Sequence, residues 1–217
     1  SRGGQLWVDD PRFGPLSGQY LHTSFGKGWM YGLAIDAEME PPQGAVWRLP
    51  FQFDAGLQRL RINPADGQIY TVGLSGWQGP SGGGDGCLQR VRWADEGQPL
   101  LIRARTVEKG VELKFSAAID PVLANNASNF TATRWDYAWA RSYGSEHYSV
   151  KQPGEVGQDD VAISSTQLLD DGKTILVELD HVICDQLRVE FKLFPVEHEV
   201  DDEVHLTVNR LYFPRSG

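Results

Sequence analysis

Between Gln43 and Trp93 the chain is written in four short alternating runs, Ala45–Leu49, Leu57–Ile62, Gln68–Val72 and Cys87–Trp93. Turn formers separate them: Phe53-Asp54-Ala55-Gly56, Asn63-Pro64-Ala65-Asp66-Gly67 and the glycine-rich stretch Gly79–Gly86. Apolar side chains at every second position suit a half-buried strand, and closely spaced turn residues make consecutive strands antiparallel. Asp66-Gly67 is the sharpest of these signals, because a tight hairpin turn needs a positive φ that glycine adopts without steric cost. Four such strands amount to one propeller blade or one sheet of a sandwich.

The flanking sequence extends the pattern. Gln5–Val8 reads as a short strand closed by Asp9-Asp10-Pro11, and Tyr20–Ile35 as a hairpin turning at Phe25-Gly26-Lys27-Gly28. No window keeps a helical apolar period for more than two turns, apart from a weak segment at Pro121–Asn125. Asp95–Pro99 holds turn formers and no apolar residue, so it divides a first region, residues 1–95, from a second, residues 98–217. In the second, Val111–Phe115, Lys173–Leu179, Leu187–Leu193 and Val204–Val208 alternate, with Asp170-Asp171-Gly172 as a hairpin turn. About seven strands over roughly 115 residues is the count expected of an immunoglobulin-like sandwich. The expected fold is therefore all-β, a propeller-blade-like antiparallel region followed by an Ig-like β-sandwich.

Charge narrows the partners. A formal net charge of -9 argues against nucleic acid, whose phosphates need a basic surface. No run approaches the roughly 20 apolar residues that span a bilayer. The opening Ser-Arg-Gly-Gly meets no apolar stretch of the signal-peptide kind, and reads as the start of a mature or excised piece. Cys87 and Cys184 could pair in an oxidising compartment or remain free thiols; neither belongs to a Cys-x-x-Cys pattern, which leaves covalent haem c and structural zinc unsupported.

The runs "NPADGQIYTVGLSGWQ", "DGCLQRVRW" and, upstream, "PRFGPLSGQYLHTSFGKGWMYGLAID" and "PPQGAVWRLPFQFDAGLQRLRINP" resemble the last blades of large bacterial haem-associated propeller proteins. Their propeller is similar to that of soluble glucose and sorbosone dehydrogenases. Downstream, "RWDYAWARSYGSEHY" and "LLDDGKTILVELD" resemble the Ig-like domain that often closes such chains. The resemblance covers nearly the whole chain but only the tail of the family's architecture. It implies a C-terminal segment of an exported, periplasmic or extracellular sugar or alcohol dehydrogenase-like protein. Another polypeptide segment would complete the propeller and carry the redox centre, with pyrroloquinoline quinone (PQQ) or haem c as its cofactor.

Three sets of side chains are candidates for a site. Trp135, Tyr137 and Trp139 alternate onto one strand face at about 7 Å intervals; exposed, they would stack on sugar rings, and buried they are core. Trp29, Trp47 and Trp77 offer a second aromatic set for the same carbohydrate-binding reading. The loop Pro195–Val204 gathers Glu197, Glu199, Asp201, Asp202 and Glu203 beside His198 and His205. Such carboxylates can serve calcium, though the spacing matches no EF-hand and acidic loops are commonly just solvated. Finally, Arg59 and Arg61 share one strand face, as do Arg90 and Arg92. An arginine fork suits an anion such as the quinone of the resembled dehydrogenases, and a solvated strand face is the plainer alternative. Among the remaining polar residues, His22, Asp36, Glu38, Glu40 and Asp66 form no motif. No nucleophile elbow is present, and the Gly79–Gly86 stretch lacks the lysine and helix of a phosphate loop, so no catalytic residue is assigned.

Overall fold

The computed structural model describes residues 2–75, 84–94, 97–141, 143–180, 183–194 and 202–210. Strand occupies 52% of the chain and helix 7%, in antiparallel sheets with no closed barrel, so the fold is all-β. The chain opens with β1 (Arg2–Trp7), β2 (Tyr20–Ser24) and β3 (Trp29–Asp36). The four alternating runs then become β4 (Gln43–Gln52), β5 (Leu57–Ile62), β6 (Ile69–Leu74) and β7 (Gly86–Val91). The β2–β3 turn falls at Phe25–Gly28, as the glycines indicated, pairing Ser24 with Trp29 and His22 with Tyr31. The β5–β6 connection differs from a two-residue primed turn. It is a six-residue connection, residues 63–68, in which the Asn63 carboxamide accepts from the Ala65 amide and the Asn63 carbonyl takes both Asp66 and Gly67 amides. Gly67 still supplies the left-handed residue, at φ 69°.

Two compact units emerge. The first contains residues 1–33 and 47–102, the second residues 34–46 and 103–217. Strands β3 and β4 are common to both: their ends at Ala34–Val46, with the turn between them, belong to the second unit.

In the first unit β1, β2, β3 and β4 lie side by side in that order, and β5, β6 and β7 form a separate sheet. Leu21, Met30, Trp47, Leu49, Leu57, Leu60 and Ile69 are buried. Trp47 fits because Gly32 has no side chain; a Cβ there would stand 2.5 Å from the indole.

The second unit is built from two sheets. One places the beginning of β4 beside β16 (Glu203–Val208), β15 (Cys184–Phe191), β10 (Phe130–Tyr137) and the short β11 (His147–Tyr148), with β12 (Asp159–Asp160) also on β10. The other runs β13 (Ile163–Leu168), β14 (Thr174–Leu179), β9 (Gly110–Phe115), β8 (Leu101–Val107). Alternation on both sheets buries Val111, Leu113, Phe115, Ile175, Val177, Leu187, Val189, Phe191, Val204 and Leu206. Phe115 of one sheet meets Phe191 of the other edge-on at 5.6 Å. A buried polar link crosses this unit: Gln43 donates to Thr106 Oγ1 at 2.6 Å and accepts from the Arg210 amide at 3.1 Å. The weak helical segment is a single turn, Pro121–Ala124, capped by the Asp120 carboxylate on the Val122 amide.

Candidate functional site

Residues directly opposite in an antiparallel pair share a face. On β10 and β15 the pairs Phe130–Phe191 and Ala132–Val189 lie on the core side, whereas Thr131–Glu190, Thr133–Arg188 and Trp135–Gln186 lie on the other. Trp135 therefore points away from the core, yet only 3% of its surface is exposed. The reason is the segment carrying β11: the His147 ring stacks on the indole at 4.5 Å, nearly parallel. Tyr137 and His205 approach it edge-on at 6.5 and 6.1 Å, and the Arg188 guanidinium lies 5.9 Å from it. Tyr137 is half-exposed, and Trp139, beyond the end of β10, stands free in solvent. The three aromatic residues thus occupy three different environments. Beside them His205 Nε2 lies 3.0 Å from Glu203, a bond that holds the Glu203 carboxyl below its ordinary range.

Of the acidic set, Glu197, Glu199 and Asp201 lie outside the described residues. Asp202 is placed just before β16, where its carbonyl accepts from the Phe191 amide at 2.8 Å. Among the described residues no group of three or more His, Cys, Asp or Glu side chains is arranged to hold a metal ion. Both cysteines are free, and burial pushes the Cys184 thiol up to about 12, which leaves it a poor nucleophile.

The first unit carries an aromatic band across β1, β2 and β3 on the side opposite its core. The pairs Trp7–Tyr20, Tyr20–Leu33, His22–Tyr31 and Ser24–Trp29 set one face. Trp7 and Tyr20 are 47% and 41% exposed, with ring centroids 4.7 Å apart. His22 and Trp29 each lie 6.4 Å from Tyr31. Arg48 covers one side of the Trp29 ring at 3.8 Å, Lys27 approaches at 5.6 Å, and the indole N–H donates to Gln52 at 2.8 Å. Rings flanked by basic and amide groups offer both apolar contact and hydrogen bonding. Of the tryptophans singled out in this region, Trp29 belongs to the band, Trp47 is core, and Trp77 lies outside the described residues. The hairpin turn at Phe25–Gly28, counted outward, aligns Tyr20, His22, Trp29 and Tyr31 on one face; Trp7 joins them through the separate β1–β2 pairing.

The second sheet of this unit brings the four arginines together. Register places Arg59, Val72 and Leu88 in one row and Arg61, Tyr70 and Arg90 in the next. All of these except Tyr70 are exposed, as are Leu74 at one end and Arg92 just past β7. Leu88 is 72% exposed and stands beside the exposed Val72 in the same row.

No family model, curated protein or solved structure matches the chain. No helix among the described residues is long and apolar enough to cross a membrane.

Proposed function

We propose that this chain is a non-catalytic scaffold segment of an exported, propeller-type sugar or alcohol dehydrogenase-like protein. The first unit contributes closing sheets to a propeller, the second caps it as an Ig-like sandwich, and the redox centre with its PQQ or haem c lies in another segment. The family comes from the resemblance in sequence. The role is supported by one observation above all: the outward face of β5–β6–β7 exposes Val72, Leu74 and Leu88 on adjacent strands. Each Å² of apolar surface left in water forgoes about 25 cal/mol, and contiguous aliphatic patches on a sheet mark surfaces that another element covers. Among the described residues this sheet has three strands where a propeller blade has four, which also suits a piece completed by neighbours. The test is the solution behaviour of the purified chain. It is expected to self-associate and to bind a hydrophobic dye, and Val72→Lys with Leu88→Lys is expected to abolish both. A monomeric chain silent toward the dye would overturn the scaffold role.

A second reading, a carbohydrate-binding module, is favoured by the aromatic band of Trp7, Tyr20, His22, Tyr31 and Trp29. Half-exposed rings beside Arg48, Lys27 and Gln52 suit the apolar faces and hydroxyl rim of a sugar. In this reading the band, rather than Trp135, Tyr137 and Trp139, provides the stacking surface.

A further inference from the structure

The chain carries 29 acidic residues against 20 lysines and arginines, yet the outward face of β5–β6–β7 is basic. Arg59, Arg61, Arg90 and Arg92 are exposed there. Among the described residues no ion pair joins any of the four to a carboxylate. Elsewhere the arginines do find acids, as in Arg12–Asp10, Arg105–Glu112 and Arg188–Glu203. Arg59 and Arg61 instead donate to the backbone carbonyls of Gln58 and Leu60. Asp66 stands at the margin of this face; it bonds the Gln68 amide and the Tyr70 hydroxyl, and Arg90 acts on it through space. Leu88 and Val72 sit in the row beside Arg59, so cationic and aliphatic groups interleave at strand spacings of about 4.8 Å.

We propose that this face is a docking surface for a polypeptide sheet bearing carboxylates among aliphatic side chains. That the partner is a sheet rests on the scaffold role proposed above; that it is acidic rests on the arginines alone. A facing strand presents a side chain about every 7 Å on one face, so alternating Glu or Asp with Val or Ile would meet guanidinium and aliphatic positions in turn. A polyanion such as an acidic polysaccharide would neutralise the arginines but leave Leu88, Val72 and Leu74 in water. That mismatch favours protein.

The test titrates the full chain with a soluble β-hairpin peptide whose face alternates Glu and Val, and with its twin carrying Lys for Glu. Saturable binding of the acidic hairpin alone, weakening as salt rises, is expected. Arg59→Glu with Arg90→Glu should weaken it by about tenfold or more. Arg59→Gln with Arg90→Gln, which removes charge without reversing it, should weaken it less, and circular dichroism should match wild type in both. Equal binding of the two hairpins, binding of neither, or indifference to the arginine variants would overturn the inference. So would polygalacturonate binding more tightly than the acidic hairpin. If neither hairpin binds while the Val72→Lys, Leu88→Lys chain still loses dye binding and self-association, the scaffold role stands and the acidic partner falls. If the acidic hairpin binds a monomeric, dye-silent chain, the acidic docking surface stands and the scaffold role falls.

Discussion

Asp10 and Arg12 show how two side chains can fix the start of a short 3-10 helix, Pro11–Leu16, which Asp10 caps. The Asp10 carboxylate accepts from the Arg12 amide at 2.9 Å, Nε at 3.0 Å and Nη2 at 2.7 Å. The same guanidinium donates to the carbonyls of Pro64 and Ala65, tying this stretch to the β5–β6 loop. The Arg12 side-chain bonds, more than any other cause, draw the Asp10 carboxyl from its ordinary 3.8 down to about 2. A folded value below the unfolded one means that the contribution is complete above the ordinary carboxylate range and disappears as pH falls through about 2. Carboxyl-carbon NMR should place the Asp10 midpoint near 2, and Arg12→Gln should return it toward 3.8. A midpoint near 3.8 in the unaltered chain would show that the bonds do not persist in solution. Sequence made this pair easy to overlook, since Asp9-Asp10-Pro11 reads simply as a strand stop. Nothing in it says that the arginine reaches 52 residues along the chain.

The elements themselves were legible wherever a period of two ran unbroken between turn residues. The run at 57–62 is β5 end to end, and those at 45–49, 68–72 and 87–93 became strands with ends displaced by one to three residues. What alternation cannot supply is the identity of whatever lies over a sheet's far side. Trp135 is on the outward face and still buried, because the irregular stretch after β10 returns His147 onto it. The band of Trp7, Tyr20, His22, Tyr31 and Trp29 is legible only through register, since its members sit on three strands. Tryptophan emission during titration with cello-, xylo- and manno-oligomers separates the two aromatic sets. A saturable change is expected in the unaltered chain, weakened about tenfold or more by Trp7→Ala, a loss on the order of 1.4 kcal/mol. Trp139→Ala should leave it intact. Loss with Trp139→Ala and not with Trp7→Ala would shift the sugar reading to the second unit, and silence in all three would remove it.

Across the whole molecule, the polar stretch at residues 95–99 is the obvious place in the sequence to cut, but the second unit's contacts do not respect it. Residues 34–46 belong with 103–217. Gln43 bonds Thr106 and the Arg210 amide, the Glu40 backbone carbonyl accepts from the Arg210 guanidinium at 2.7 Å, and the Pro42 carbonyl accepts from the Asn209 side chain at 3.1 Å. Expressed alone, residues 98–217 would leave the buried Thr106 hydroxyl without its partner, at a cost of about 1–3 kcal/mol. The denaturation midpoint of that piece should lie below the midpoint of the same unit in the full chain, and a peptide spanning residues 34–46 should raise it. A peptide without effect would mean that residues 34–46 contribute little to that unit's stability.

Because β3 and β4 pass through both units, the fold has a hereditary consequence. Recombination moves coding sequence in continuous blocks, and no single breakpoint in this gene yields two blocks that each encode a whole unit. A crossover at the turn near residue 97 would hand one descendant the 103–217 portion stripped of residues 34–46, and the other a hairpin tip with nothing to join. Such a pair of units is expected to travel through lineages together, diversifying by point substitution rather than by exchange of modules.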